Sequence, residues 1–219
     1  MRLRIPRLLA RWAAITVSIS ALLFFAAGTT HVSSLRSYLA VFSSLLLATM
    51  LTVDPDLAKE RAHPEDTGVD DGLRFAARLL FLLTLTFAAL SVGRLRHTFN
   101  VPTHARDGGL VAFAFSGALQ AWAMVVNPFF SPTLRIQAER GHRVIADGPY
   151  RFIRHPGYLA MSISVLASTL AIGSWIALIP AGAFVLVIRR RAQLEGESLR
   201  NSLSGYIAYA RKVRGSYAG

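Results

Sequence analysis

Apolar residues along this chain are concentrated in five long runs, which are separated by short polar segments. We interpret the first four runs as single helices, over approximately Leu9–Gly28, Tyr38–Val53, Phe75–Gly93 and Gly109–Val126. Each is close to the roughly 20 residues that an α-helix needs to cross a hydrocarbon core. The first run follows a basic lead and is also compatible with a secretory signal peptide, but further apolar runs follow it, so we treat it as the first span.

The fifth run, Tyr158–Ile188, is too long for one crossing. A straight helix over it would measure about 45 Å, against a hydrocarbon core of about 30 Å. Gly173, Ser174 and Pro180 lie inside the run, so the sequence predicts two shorter helices joined by a tight turn. A single tilted and kinked helix is the alternative. We therefore expect an all-α polytopic membrane protein with five to six transmembrane helices, ending in a helical hairpin.

Composition and charge support a membrane protein and give its orientation. The chain is 53% hydrophobic and 16% charged, with a mean hydropathy of +0.43. Its net charge of +12 does not indicate nucleic-acid binding, because the basic residues lie between the apolar runs. Alternate gaps hold 20 of the 24 Lys and Arg residues, which predicts a cytoplasmic N-terminus, Asp147–Ala160 segment and C-terminal tail. The chain has no cysteine, which excludes disulfides and thiolate metal sites.

Two polar segments flank the predicted hairpin and should meet at the cytoplasmic membrane surface, because a hairpin brings its ends together. The first runs from Arg135 to Tyr158 and includes the motif-rich stretch DGPYRFIRHPGY, and the second is RAQLEGESL, Arg191–Leu199. Pro156 suits the first turn of a helix with His155 at or next to its N-cap, where free N–H groups favour an anion.

The same segments contain aromatic and charged residues that suit a zwitterionic, cationic cofactor. Tyr150 and Tyr158 offer aromatic faces that attract cations, and Arg191 and Glu195 share one helix face. An ordinary turn with interfacial tyrosines and a stop-transfer cluster is the alternative interpretation. His142 and His155 lack a third ligand at suitable spacing, so no metal site is expected.

These motifs resemble those of a known family. The chain resembles the integral-membrane methyltransferases that include isoprenylcysteine carboxyl methyltransferase and the bacterial phospholipid methyltransferases. The residues that carry the resemblance are Gly148-Pro149-Tyr150, Arg154-His155-Pro156-Gly157-Tyr158 and, further on, Arg191-x-x-x-Glu195. The segments QAERGH and LSGYIAYARKVR resemble the family's lead-in and closing helix. The resemblance is good in the C-terminal half and loose in the N-terminal half. We therefore divide the chain into the four predicted spans, in residues 1–127, and a catalytic region, in residues 128–219.

The resemblance implies an enzyme that binds S-adenosylmethionine in a cytoplasmic pocket of the bacterial inner membrane, among membrane lipids. A lipophilic acceptor would reach the pocket from the bilayer. The residues implied to hold the cofactor are Gln137, His142, Arg143, Val144, Ile145, Tyr150, His155, Pro156, Gly157, Tyr158 and Glu195. Arg154 and Arg191 are the candidate catalytic residues, with Arg191 facing the acceptor.

The chemistry of the acceptor is open between two classes. A carboxylate on a prenylated or lipid-like molecule needs only a cation to hold it, whereas a phospholipid amine needs a base. The sequence offers no well-placed carboxylate beyond Glu195, so we favour the carboxylate acceptor. A non-catalytic scaffold or transporter subunit with the same fold is the alternative to an enzyme. The oligomeric state is left open.

Some features depart from the family or lie outside its motifs. Gly196 stands where relatives often carry a second acid, with Glu197 as the nearest substitute, and the tail ends early in VRGSYAG. The connector Asp54–Asp71 carries seven acids and predicts a solvated loop with one short helix capped by Asp54. The apolar positions from Glu197 onward repeat with helical spacing, which predicts an amphipathic helix. This helix would be either an interfacial helix or a lid over the cofactor. Its apolar positions are Leu199, Leu203, Tyr206, Ala210 and Val213.

Overall fold

The computed structural model describes residues 4–64, 70–95 and 101–213, together with Gly215 and Tyr217. Over these ranges the chain forms eight α-helices and two 3-10 helices. The α-helices are α1 (Arg4–Ala27), α2 (Ser33–Thr52), α3 (Pro55–Ala62), α4 (Asp71–Gly93), α5 (Thr103–Val126), α6 (Pro156–Ile172), α7 (Leu178–Ser202) and α8 (Tyr206–Lys212). The 3-10 helices cover Ala138–Arg140 and Gly148–Arg151. The predicted all-α architecture is confirmed.

Four of these helices, α1, α2, α4 and α5, are long and apolar enough to cross a membrane, and α6 is a shorter apolar helix. This confirms a polytopic integral membrane protein. The predicted spans end within one residue of the observed helices but start several residues late. For example, α5 begins at Thr103 rather than Gly109. Hydropathy marks only the apolar part of a helix, whereas the first turn can be polar.

Glycine and alanine allow the spans to approach closely. At Gly109 an added Cβ would lie 2.7 Å from the backbone N of Ala171, where α5 meets α6. At Gly93 it would lie 2.1 Å from the carbonyl oxygen of Ala27, where α4 meets α1. Small residues at such crossings are typical of membrane helix pairs. Because α1 packs closely on α4 in this way, it is an integral part of the bundle, as expected of a first span.

The C-terminal hairpin is present, and the single kinked helix is excluded. Helix α6 ends at Ile172 and is followed by Gly173 in a left-handed conformation with φ of 109°, which glycine adopts without steric cost. Helix α7 begins at Leu178 and packs back along α6. Pro180 lies in the first turn of α7 rather than in the connection, at a position where its missing N–H is tolerated.

The connector between α2 and α4 was predicted only in part. Asp54 caps α3 as expected, since its Oδ1 accepts hydrogen bonds from the backbone N–H groups of Asp56 at 2.8 Å and Leu57 at 3.4 Å. The prediction of a solvated loop is wrong for Glu60 and Asp70, both of which are buried. Residues 65–69 of this connector lie outside the described ranges.

The amphipathic helix predicted from Glu197 onward is wrong as a single element. Helix α7 ends at Ser202, and α8 begins separately at Tyr206. Gly205 between them adopts a φ of 82°, which turns the chain by a conformation that L side chains rarely adopt. The apolar spacing continues across the break, and for this reason the pattern alone did not reveal it.

Candidate active site

A polar pocket lies at one end of the bundle, where the segments on either side of the hairpin meet. Its walls come from the loop between α5 and α6, the start of α6, the second half of α7, and α8. Most of the predicted site residues line it: His142, Arg143, Val144, Ile145, Tyr150, Arg154, His155, Gly157, Tyr158, Arg191 and Glu195. The hairpin argument therefore located the pocket correctly.

Two predicted residues, Gln137 and Pro156, do not line the pocket. The fully buried Gln137 donates from Nε2 to the carbonyl oxygen of Phe129 at 2.9 Å and accepts a hydrogen bond from Arg140. Its backbone N–H donates to Nδ1 of His142 at 3.3 Å, and the His142 ring stacks on Phe129 with centroids 4.5 Å apart. Gln137 thus positions two residues of the pocket wall. Pro156 forms the first turn of α6.

His155 and Glu195 lie next to each other in the pocket wall. His155 is the N-cap of α6 and is buried, and its Nδ1 lies 3.7 Å from Oε2 of Glu195. Burial lowers the pKa of His155, and the opposing effect of Glu195 does not overcome it. The imidazole is therefore neutral at pH 7. Among the described residues that line the pocket, Glu195 is the only Asp or Glu.

Two buried polar atoms in the pocket wall have no hydrogen-bond partner within the described part of the chain. These are Nε of Arg154 and the hydroxyl of Tyr206. An unsatisfied buried polar group costs about 1–3 kcal/mol, so such groups are rare in folded proteins unless a ligand or water completes them. Their presence in one pocket indicates a site for a polar ligand.

The second candidate catalytic residue, Arg191, is already paired with an acid. Its Nε donates to Oδ2 of Asp70 at 2.7 Å, its Nη2 lies 2.6 Å from the same oxygen, and Nη2 also donates to the carbonyl oxygen of Pro132 at 2.8 Å. The Asp70 side chain is fully buried. Arg191 and Glu195 both line the pocket, as their spacing predicted, but they bind different partners. The sequence analysis missed Asp70, because in the sequence it is one of several acids in a polar connector and nothing distinguishes it from the others.

A second buried ion pair holds the loop before α6 in place. Arg135 contacts Glu60 through Nη2 at 2.9 Å and Nε at 3.2 Å, and Ser131 donates to the same carboxylate at 2.9 Å. Burial alone would raise the pKa of Glu60, but the hydrogen bonds from Arg135 and Ser131 outweigh burial and lower it. Glu60 therefore stays ionised and joins α3 to the pocket wall.

Helix α8 covers the pocket. Tyr206 and Tyr209 line it, and the Tyr209 hydroxyl donates to the carbonyl oxygen of Tyr150 at 2.8 Å. The covered pocket has a volume of about 170 Å³. Sites for drug-sized ligands begin at about 300 Å³. The pocket is smaller than this, and α8 lies where a lid over it would lie.

The two departures from the family have structural consequences. Gly196 is buried, and an added Cβ would lie 3.5 Å from Nε2 of His155, in ordinary van der Waals contact with the imidazole. Glu197 is exposed and does not line the pocket, so it is no substitute for an acid there. The C-terminal segment supports the site, since the carbonyl oxygen of Gly215 accepts a hydrogen bond from the backbone N–H of Arg154 at 2.9 Å.

The fold and the pocket define a polytopic membrane protein whose polar site is built around the start and the return of a helical hairpin. Residues 109–201 match the isoprenylcysteine carboxyl methyltransferase (ICMT) family. The match spans less than half of the 219 residues but includes most of α5, all of α6 and nearly all of α7. It confirms the resemblance of this region to the membrane methyltransferases of that family. No curated protein matches the chain.

Proposed function

We propose that the protein transfers a methyl group from S-adenosylmethionine to a lipophilic acceptor at the cytoplasmic face of the bacterial inner membrane. The observation that carries this proposal is that two buried atoms, Arg154 Nε and Tyr206 Oη, have no partner in the described part of the chain and lie in a pocket whose only described acid is Glu195. A zwitterionic ligand with a carboxylate and an ammonium group fits this donor set.

Each charged part of the cofactor has a residue of complementary chemistry. Arg154 supplies a charge-assisted donor for the carboxylate, and Glu195 supplies the acceptor for the ammonium group. The aromatic faces of Tyr158 and Tyr206 suit a sulfonium, which is a cation. When bound, S-adenosylmethionine supplies an electrophilic methyl group. The neutral state of His155 avoids a second positive charge beside it.

The protein contributes mainly position and exclusion of water. An in-line displacement at a methyl group gains most from a fixed approach of the acceptor in a dry site. Helix α8 and the clamp between Glu60 and Arg135 enclose and fix the pocket wall. A carboxylate acceptor needs no base. For an amine acceptor, the neutral imidazole of His155 is the group that would accept the proton.

Labelled methyl transfer in native membranes tests the proposal. Membranes that contain the protein are incubated with S-adenosylmethionine tritiated at its methyl group, and the lipid fraction is extracted. We expect label in this fraction, strongly reduced by Glu195→Gln and unchanged by Glu197→Gln. Alkali releases methanol from methyl esters but not from methylated amines, so the same extract separates the carboxylate from the phospholipid amine acceptor. A lipid fraction without label above that of control membranes contradicts the proposal and favours a non-catalytic scaffold.

A further inference from the structure

A second, much larger cavity opens along the membrane-spanning part of the bundle. This groove runs along α1, α2, α3 and α5, has a volume of about 1190 Å³, and is lined mainly by apolar side chains such as Leu45, Phe113 and Met124. In a chain that spans a membrane, a groove of this size and polarity accommodates a hydrocarbon chain.

The groove meets the polar pocket at two residues. Arg61 of α3 and Met161 of α6 line both cavities. A chain that lies in the groove with its polar end at these residues places that end next to the pocket. We call the place where Arg61 and Met161 line both cavities the junction. An acceptor that approaches from the bilayer along the groove would reach the pocket there.

The polar lining of the groove is basic. Its titratable side chains, apart from Tyr38, are Arg7, Arg11, Lys59, Arg61 and His63, and no Asp or Glu is found among its described lining residues. An apolar groove with a basic end is complementary to an amphipathic molecule that carries a negative charge. This complementarity favours an anionic amphiphile over a neutral or cationic one.

Arg61 is the member of this set that lies at the junction of the two cavities. Its Nη1 donates to the carbonyl oxygen of Phe130 at 3.1 Å, and its guanidinium lies 5.3 Å from the centre of the Phe130 ring. Within the described ranges no carboxylate lies within 4.0 Å of it, whereas Arg135 has Glu60 and Arg191 has Asp70.

The charge on Arg61 is held in an unfavourable environment. Burial lowers the pKa of Arg61, and the positive charge of Arg191 lowers it further. Arg61 is only partly buried, and a bound anion would oppose both effects, because an opposite charge nearby favours the charged form. Arg191 gains less from the same anion, because Asp70 already compensates its charge.

We propose that Arg61, rather than Arg191, selects the acceptor by binding the anionic group of an amphiphile whose hydrocarbon chain lies in the groove. This inference rests on the proposed methyl transfer for the identity of the amphiphile as the acceptor. The anionic group is a carboxylate or a phosphate, which the guanidinium binds with the same geometry.

Photolabelling in lipid nanodiscs tests the charge preference directly. The protein is placed in phosphatidylcholine nanodiscs with diazirine-bearing palmitic acid, the matching alcohol or the matching alkyl phosphate, and labelled peptides are identified by mass spectrometry. We expect the acid or the phosphate to label the junction peptides about tenfold more than the alcohol, as a charge-assisted contact provides. The stronger of the two anions identifies the headgroup. Equal labelling by acid, phosphate and alcohol overturns the proposal. This test needs only the wild-type protein.

Variants assign the preference to Arg61. Arg61→Gln should abolish the difference between anion and alcohol, Arg61→Lys should retain most of it, and Arg78→Gln, on an exposed residue outside both cavities, should leave it unchanged. A preference that survives in a folded Arg61→Gln protein contradicts the assignment.

Binding of S-adenosylmethionine, measured on the same samples, separates this inference from the proposed function. If the wild-type protein does not bind S-adenosylmethionine but labels with an Arg61-dependent anion preference, the proposed function fails and the groove assignment stands. If it binds the cofactor but shows no anion preference, the groove assignment alone fails.

Discussion

Asp70→Asn should destabilise the protein more than any other single loss of a carboxylate near the site. Asp70 is fully buried and contacts Arg191 at 2.6 and 2.7 Å, so the substitution leaves a buried guanidinium without its counter-charge. Removing one partner of such a pair costs about 3–5 kcal/mol. We expect about 3 kcal/mol, because asparagine can still accept one hydrogen bond, which corresponds to about a hundredfold change in the unfolding equilibrium.

Thermal unfolding of the detergent-purified protein measures this effect. For a chain of this size, about 3 kcal/mol lowers Tm by about 6–12 °C. The adjacent residue supplies the control: Asp71 is exposed, and Asp71→Asn should change Tm little. The double variant Asp70→Leu/Arg191→Met removes both charges and should recover much of the lost stability. Equal Tm values for Asp70→Asn and Asp71→Asn would refute the argument that the buried ion pair fixes α7 to the connector.

Three further predictions concern packing, pH and the lid. Gly109→Ala should lower Tm clearly because its Cβ meets Ala171, whereas neighbouring Gly108→Ala, with nothing within 4 Å, should leave Tm unchanged or raise it; equal shifts would contradict the close crossing. Because burial lowers the pKa of His155 below its ordinary 6.5, the unfolded state binds more protons, and Tm should fall as the pH drops below about 6.5, less steeply in His155→Gln. Tyr209→Phe removes the hydrogen bond that holds α8 closed, so labelled S-adenosylmethionine should dissociate faster, while an unchanged dissociation rate would contradict a lid.

The sequence predicted the fold class and the pocket because both depend on local patterns. Apolar runs mark spans, and Gly173 marks the turn that brings the His155 and Glu195 segments together. The C-terminal ends of the spans were accurate, because polar residues follow them at once. Their N-terminal ends were not, since helices such as α5 continue into polar residues that hydropathy does not mark.

The tertiary partners of the site could not be predicted, because they come from distant parts of the chain. Asp70 and Glu60 lie in an acidic connector that composition describes as solvated, and only folding places them against Arg191 and Arg135. The position of Arg61 between two cavities could not be predicted for the same reason, because it depends on how distant parts of the chain fold together.

Calorimetric binding of S-adenosylmethionine to the detergent-purified protein tests the central claim most directly. We predict micromolar binding by the wild-type protein, weakened about tenfold or more by Glu195→Gln, which removes the only acid among the described residues of the pocket lining. Tyr206→Phe should weaken binding without lowering Tm, since its hydroxyl has no partner among the described residues. Glu197→Gln, on an exposed residue, should bind as the wild type does. Absence of binding by a wild-type protein that unfolds cooperatively, or equal binding by Glu195→Gln and Glu197→Gln, would contradict the assignment of this pocket to the cofactor.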